Sequence, residues 1–108
     1  DRAGVLLGAF DLPALDLAGL RDLGSRLKGS LTDAAVVLLG REGDRVPVLA
    51  LVLGQARSRG LAAGHLVQAA AQELGGGGGG KPEQAQGQGL DAGKVPQALQ
   101  RLRRELGL

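Results

Sequence analysis

The sequence predicts an α/β fold, in which a small mixed β-sheet packs with about three helices in a single domain spanning residues 1–108. The length of 108 residues is typical of one domain. Two apolar runs rich in Val and Leu, at 34–39 and 46–53, are typical of strands that are buried on both faces. Stretches before and after these runs carry apolar residues every three to four positions, which indicates amphipathic helices.

A strand and a helix are expected before the two apolar runs. The segment 4–10 is typical of a short buried strand, and Asp11-Leu12-Pro13 ends it. Asp16 is the expected N-cap of a helix, because leucines at 17, 20, 23, 27 and 31 then recur on one helical face. The other face of this helix carries Arg21, Asp22, Arg26 and Lys28.

A β-hairpin is expected next. The polar residues 41–45 separate the two apolar runs and have the composition of a hairpin loop. Pro47 has no amide hydrogen to donate, so we expect it at a strand start or beside an unpaired sheet edge.

The second half of the chain predicts two more helices with a short strand between them. One helix is expected over 61–74, with Gly75 as its C-cap. Residues 84–89 alternate Gln with Ala or Gly, so an extended backbone would present three glutamines on one face. The last helix is expected over 95–106, with arginines 101, 103 and 104 mostly on its outer side. The predicted order is therefore β-α-β-β-α-(short β)-α.

Composition and motifs argue against catalysis by this chain alone. It has no Cys, which excludes a disulfide framework, thiol chemistry and a Cys-based zinc site. His65 is the only histidine, and the sequence contains no HxE, HExxH, DxD or GxSxG pattern. The longest apolar run, 46–53, is too short to span a membrane, so no membrane partner is expected. The chain begins at Asp1 without Met, so we expect a fragment of something larger or a processed chain.

The most informative segment is the run of six glycines at 75–80, followed at once by Lys81-Pro82. Glycine loses more freedom on folding than any other residue, so such a run is a flexible linker or a place of close backbone approach. Its position inside one small domain favours close approach. It does not match a Walker loop, because Lys81 is followed by Pro82 instead of Ser or Thr opening a helix.

Two interpretations of the glycine run remain equally open at this point. In one, its amides lie against a flat partner such as an exposed base pair or surround an anion, with Lys81 and the glutamine row beside them. In the other, it is a packing loop that crosses over a helix, and the glutamines are merely solvated.

The arginines leave a similar choice. The 13 basic residues include 10 Arg, which suits contacts to phosphate but also fits G+C-rich coding. Arg57 and Arg59, just before the second helix, are either phosphate contacts at a helix N-terminus or a solvated turn. Arginines 101, 103 and 104 near a helix C-terminus are explained equally well by the helix dipole. Because Phe10 is the only aromatic residue, any nucleic acid would be recognised by shape and backbone instead of base stacking.

The stretch from Leu15 to Leu106 resembles the globular half of the C-terminal domain of alanyl-tRNA synthetases, a fold shared with the C-terminal domain of DHH-family phosphoesterases. The resemblance is carried by Ala63-Gly64, the glycine run, Lys81-Pro82 and Ala85-Gln86. Two departures are present. Lys81 stands where Arg is usual, and Gln84 and Gln88 stand where an apolar residue and a glycine are commoner.

The resemblance implies a non-catalytic tRNA-binding module that contacts the outer corner of tRNA, where the D and T loops meet, and helps the aminoacylation and editing domains act on tRNA-Ala. It implies a cytoplasmic protein, other synthetase domains as partners and a homodimer of the parent through an upstream helical half that is absent here. ATP, Mg and Zn are implied only for other domains of the parent. The candidate tRNA-contacting residues are Gly75, Gly76, Gly77, Gly78, Gly79, Gly80, Lys81, Gln86, Arg57 and Arg59.

Two other functions compete with this one. The glycines could grip a nucleotide in the C-terminal domain of a DHH-type phosphoesterase. Alternatively, the chain could be a dimerisation or assembly module that uses a sheet edge near Pro47.

Overall fold

One mixed sheet of five strands organises the protein in a computed structural model, which describes residues 4–108. The strands lie in the order β1-β2-β3-β5-β4. Only β1 and β2 are parallel, and every other neighbouring pair is antiparallel. Their bounds are Leu6–Asp11 for β1, Ala34–Leu39 for β2, Val46–Leu53 for β3, Gly77–Gly80 for β4 and Gln84–Gly89 for β5.

Helices cover both faces of this sheet. α1 packs on one face, whereas α3 and α4 pack on the other. The short α2 follows β3 at the end of the sheet, and a 3-10 turn over Ala92–Lys94 leads into α4. The helices are Leu17–Ser30 (α1), Gln55–Ser58 (α2), Ala63–Leu74 (α3) and Val95–Glu105 (α4). The predicted α/β class, with a small mixed sheet and three helices of ordinary length, is confirmed.

The apolar runs form the centre of the sheet, as predicted. All six residues of β2 and seven of the eight residues of β3 are buried. Alternate residues of each strand face the main core under α3 and α4 or a smaller cluster of Leu20, Leu38 and Leu49 under α1. Gly24 lets α1 sit close to β3, because a Cβ there would lie 2.6 Å from Cδ2 of Leu49.

The predicted helix ends are confirmed where local chemistry sets them. The Asp16 carboxylate accepts a hydrogen bond from the Gly19 amide at 2.8 Å and caps α1. Gly75 ends α3 in the left-handed conformation, with φ of 74°. The start of α3 was predicted two residues too early, because Ala62 is extended and the helix opens at Ala63.

Two sequence expectations need correction. Strand β1 was expected to be buried, but it is an edge of the sheet, and α1 packs over β3 and leaves part of β1 uncovered. Leu6 and Phe10 of β1 are therefore 44% and 43% exposed. Pro47 is the second residue of β3 and lies inside the sheet, between β2 and β5. It therefore marks a strand start, and an assembly surface at a sheet edge near Pro47 is excluded because the sheet edges are β1 and β4.

Within residues 4–108, no helix combines the length and the apolar character needed to cross a membrane.

Candidate nucleic-acid interface

The glycine run forms an edge strand of the sheet. Gly77 to Gly80 pair antiparallel with β5, with Gly78 opposite Gly87 and Gly79 opposite Gln86. The predicted element order contains no strand here, because a run without side chains carries no alternating pattern that would indicate one. The turn between β4 and β5 is closed by the Lys81 amide, which donates to the Gln84 carbonyl at 3.0 Å.

One face of the glycine strand is packed so tightly that it requires glycine. A Cβ on Gly78 would lie 2.9 Å from Cγ1 of Val67 in α3, and a Cβ on Gly80 would lie 2.9 Å from Cβ of Ala85. A Cβ on Gly76 would fall on the backbone carbonyl of Gln88. Close packing against α3 and β5 therefore accounts for these three glycines.

The opposite face of the strand is open. A Cβ added to Gly77 or to Gly79 would meet no atom within 4 Å, and neither residue has a positive φ. Packing and backbone conformation therefore do not require glycine at these two positions. Gly77 and Gly79 leave a stretch of bare peptide backbone on this face of the sheet. Their partners in β5, Gln88 and Gln86, lie on the same face.

The predicted glutamine row exists, and it meets cations from α1. The Arg21 Nε donates to Oε1 of Gln86 at 3.2 Å, and the Lys28 Nζ donates to Oε1 of Gln84 at 3.2 Å. Arg21 and Lys28 are seven residues apart, which is about two helical turns, so they lie on one side of α1. Both residues were predicted on the polar face of this helix, but neither was among the predicted tRNA-contacting residues.

A groove of about 340 Å³ lies where these elements meet. Two ammonium groups and one carboxylate line it, together with the end of the glycine strand and the start of β5. The lining residues are Lys28, Gly79, Gly80, Lys81, Glu83, Gln84, Ala85 and Gln86. The structure thus brings Lys81, Gln86 and two of the predicted glycines together with Lys28.

Arg57 and Arg59 lie outside this groove but at the same end of the sheet. Both are exposed, one in α2 and one at its C-cap. α2 directly follows β3, and the end of β3 is bonded to the start of β5, since the Val52 amide donates to the Glu83 carbonyl at 2.9 Å. The two arginines therefore share an end of the sheet with the groove, whereas α2 itself packs on β2 and β3.

Arg101 has a different role from the one expected. Its side chain is half-buried instead of facing outward, and its Nη1 lies 2.9 Å from Oε2 of Glu73 in α3. Its Nε donates to Oε1 of Glu105 at 3.1 Å, and Oε2 of Glu105 lies 3.1 Å from Nε2 of His65. The hydrogen bond from Arg101 and then that from His65 lower the pKa of Glu105, and the carboxylates raise the pKa of Arg101. This cluster joins α3 to α4, while Arg103 and Arg104 remain exposed.

Comparison with known proteins agrees with this architecture. Residues 12–107 match the DHHA1 domain, and the chain belongs to the DHHA1 domain family. The relatives of this chain include alanine–tRNA ligases. The chain is 43% identical over 99 residues to that of Acidothermus cellulolyticus and 41% identical over 96 residues to that of Geobacillus thermodenitrificans. These matches cover 88% and 89% of this chain but 11% of each relative, so the chain spans about a tenth of their length.

A solved structure supports the same assignment. The C-Ala domain of alanyl-tRNA synthetase from Aquifex aeolicus superposes with a TM-score of 0.79 at 25% sequence identity, covering 94% of this chain and 91% of that one. The resemblance drawn from Ala63-Gly64, the glycine run and Ala85-Gln86 is thus confirmed: this domain is similar to the C-terminal domain of alanyl-tRNA synthetases.

Proposed function

We propose that this chain is a non-catalytic tRNA-binding module of an alanyl-tRNA synthetase, and that it contacts the outer corner of tRNA where the D and T loops meet. Its partners in this role are tRNA-Ala and the aminoacylation and editing domains of the same cytoplasmic enzyme. Chemistry on alanine and ATP would belong to the remainder of that enzyme. A parent homodimer stays a prediction from the resemblance alone.

The observation that carries the proposal is the open backbone face at Gly77 and Gly79. Close packing explains Gly76, Gly78 and Gly80, but it gives no reason for glycine at 77 and 79. A ribbon without Cβ atoms lets a flat group, such as an exposed base pair, approach the peptide planes directly. Side chains at these two positions would hold such a group away from the backbone.

The surroundings of this ribbon favour a structured RNA. Lys28 and Lys81 border it and outnumber the single carboxylate of Glu83. Phosphate contacts from such cations position an RNA without reading its sequence. Single-strand binding proteins stack bases on aromatic side chains, and Phe10 lies on β1, at the opposite edge of the sheet from β4. Recognition of folded shape is therefore the mode that these residues support.

The phosphoesterase alternative has less support. Relatives that are 38% to 46% identical to this chain are alanine–tRNA ligases. The family and the fold are compatible with a tRNA-binding module and with a phosphoesterase domain. The two functions therefore differ in the ligand, which is a folded tRNA in the first and a nucleotide in the second.

Fluorescence anisotropy tests the proposal. This chain is titrated into labelled, folded tRNA-Ala and into an unstructured RNA of equal length, at two salt concentrations. We expect tighter, salt-dependent binding to the folded tRNA. Gly79→Leu should weaken that binding, and Gly29→Leu is the matched control, because a Cβ at position 29 of α1 also meets no atom within 4 Å. Equal affinity for both RNAs, or equal effects of the two substitutions, would contradict the proposal.

A further inference from the structure

Two cations of α1 are hydrogen-bonded to β5, the strand that pairs with the glycine strand. Arg21 and Lys28 are exposed, and each is held by a hydrogen bond to a neutral amide oxygen of β5. Neither is paired with a carboxylate in the structure of residues 4–108. A neutral acceptor fixes the position of a cation but leaves its full charge available to a partner.

Three other arginines of the molecule are paired with carboxylates. Arg26, on α1 between these two residues, pairs with Asp22 at 3.1 Å. Arg41 pairs with Asp11 at 2.9 Å, and Arg101 pairs with Glu73 and Glu105. The two α1 cations that reach β5 therefore differ from these three in having amide partners.

The amide partners place these two cations beside the glycine strand and the turn that follows it. Gln86 accepts from Arg21 and lies directly opposite Gly79 in the β4–β5 pair. Gln84 accepts from Lys28, and its backbone carbonyl closes the turn that carries Lys81. One row thus runs from Arg21 through Gln86 to Gly79, and a second row runs from Lys28 through Gln84 to the turn at Lys81. The groove lies along the second row, since Lys28, Gln84 and Lys81 line it.

We propose that Arg21 and Lys28 contact backbone phosphates of the bound RNA, and that Gln86 and Gln84 position them for this contact. This inference rests on the proposed function and extends it. Arg21 and Lys28 together form a cationic wall on α1, beside the glycine strand. A folded RNA that lies flat on Gly77 and Gly79 would run its sugar–phosphate backbone along this wall. Their separation of seven residues, about 10 Å along the helix axis, suits contacts to two different phosphates.

The test compares salt dependence of binding to folded tRNA-Ala among four single variants. Arg21→Ala and Lys28→Ala should each weaken binding roughly three- to tenfold and reduce the slope of log K against log salt by about 1. Lys28→Arg should retain the slope of the unaltered chain, because it keeps the charge. Arg26→Ala is the matched control on the same helix, and its affinity and slope should stay unchanged.

The positioning role has its own readout. Gln84→Ala and Gln86→Ala remove the amides that position the cations but keep both positive charges, so we expect weaker binding with an unchanged salt slope. A slope that falls as far as in Lys28→Ala would overturn this role, and so would full affinity in both glutamine variants.

The possible outcomes separate this inference from the proposed function. If Gly79→Leu weakens binding while Arg21→Ala and Lys28→Ala behave like Arg26→Ala, the phosphate contacts are wrong and the tRNA-binding function stands. If the unaltered chain binds folded tRNA no better than unstructured RNA, both proposals fail. Circular dichroism of each variant verifies that the exposed substitutions leave the fold intact.

Discussion

Gly64, the second residue of α3, lies so close to Gly80 that a Cβ on it would stand 3.1 Å from the Gly80 carbonyl oxygen. The helix is therefore seated directly on the backbone of the glycine strand. Nearby, the Ala63 amide donates to the Pro82 carbonyl at 2.8 Å, so the same helix start also fixes the turn that carries Lys81. The Ala-Gly opening of α3 and the glycine strand form one structural unit.

The first prediction follows from this contact. Gly64→Val should displace β4 from α3 and lower the free energy of unfolding by about 1–3 kcal/mol, because added bulk in a tight contact is destabilising. Urea denaturation measures the change. Gly29→Val in α1 is the control, since it makes the same change in helix propensity where no atom lies within 4 Å. Equal shifts in the two variants would contradict the close contact.

The second prediction compares neighbouring residues of the glycine strand. Gly78→Ala should lower the thermal midpoint, because its Cβ would be forced against Val67 and the backbone of β5. Gly79→Ala should leave the midpoint unchanged or raise it, because its Cβ enters open space and alanine restricts the unfolded chain. Thermal denaturation followed by circular dichroism distinguishes the two. A larger loss in Gly79→Ala would reverse the assignment of the packed and open faces.

The third prediction concerns the N-cap of α1. Asp16→Ala removes the acceptor of the Gly19 amide and should cost about 0.5–2 kcal/mol of stability. Asp16→Asn keeps an acceptor oxygen and should recover most of this loss. Urea denaturation of both variants tests the cap, and equal losses would mean that the charge of Asp16 matters more than its hydrogen bond.

The fourth prediction is a pH dependence of stability. The pKa of Glu105 is lowered in the folded protein, chiefly by the hydrogen bond from Arg101 and also by that from His65. A carboxylate with a lowered folded pKa stabilises the protein fully above its unfolded value, near 4.5, and this contribution is lost as pH falls through the folded pKa. Glu105→Gln should therefore destabilise the protein at neutral pH and reduce the loss of stability on acidification.

Urea midpoints measured across the acid range test this pH dependence. Asp44→Asn, in the exposed hairpin loop, is the control for replacing one carboxylate with an amide. An unchanged profile in Glu105→Gln would contradict a role for this carboxylate in joining α3 to α4.

The features that could be predicted from sequence are those fixed by neighbouring residues. The Asp16 cap, the Gly75 cap and the 41–45 hairpin loop depend on chemistry within a few positions, and all three were predicted correctly. The burial of β2 and β3 followed from their continuous apolar runs.

The features that escaped prediction depend on distant partners. Strand β4 has no side chains to alternate, and it becomes a strand only because β5 pairs with it. Arg101 was predicted on the outer side of α4, because its partner Glu73 lies on α3 and is distant in the sequence. Arg21 and Lys28 contact the glutamines of β5 because β5 lies next to β3, on which α1 packs. This strand order is not visible in the sequence.

The proposed contact surface of glycine backbone reverses the logic of alanine scanning. At Gly77 and Gly79 every substitution adds atoms, so a loss of affinity there reports steric exclusion and not the removal of a favourable group. Whatever attraction the main chain supplies can be probed only by changing the main chain itself, for instance by replacing a single amide with an ester. The proposed surface also has no side chains through which its preference could be tuned, so it would select a partner by the shape that can approach bare backbone.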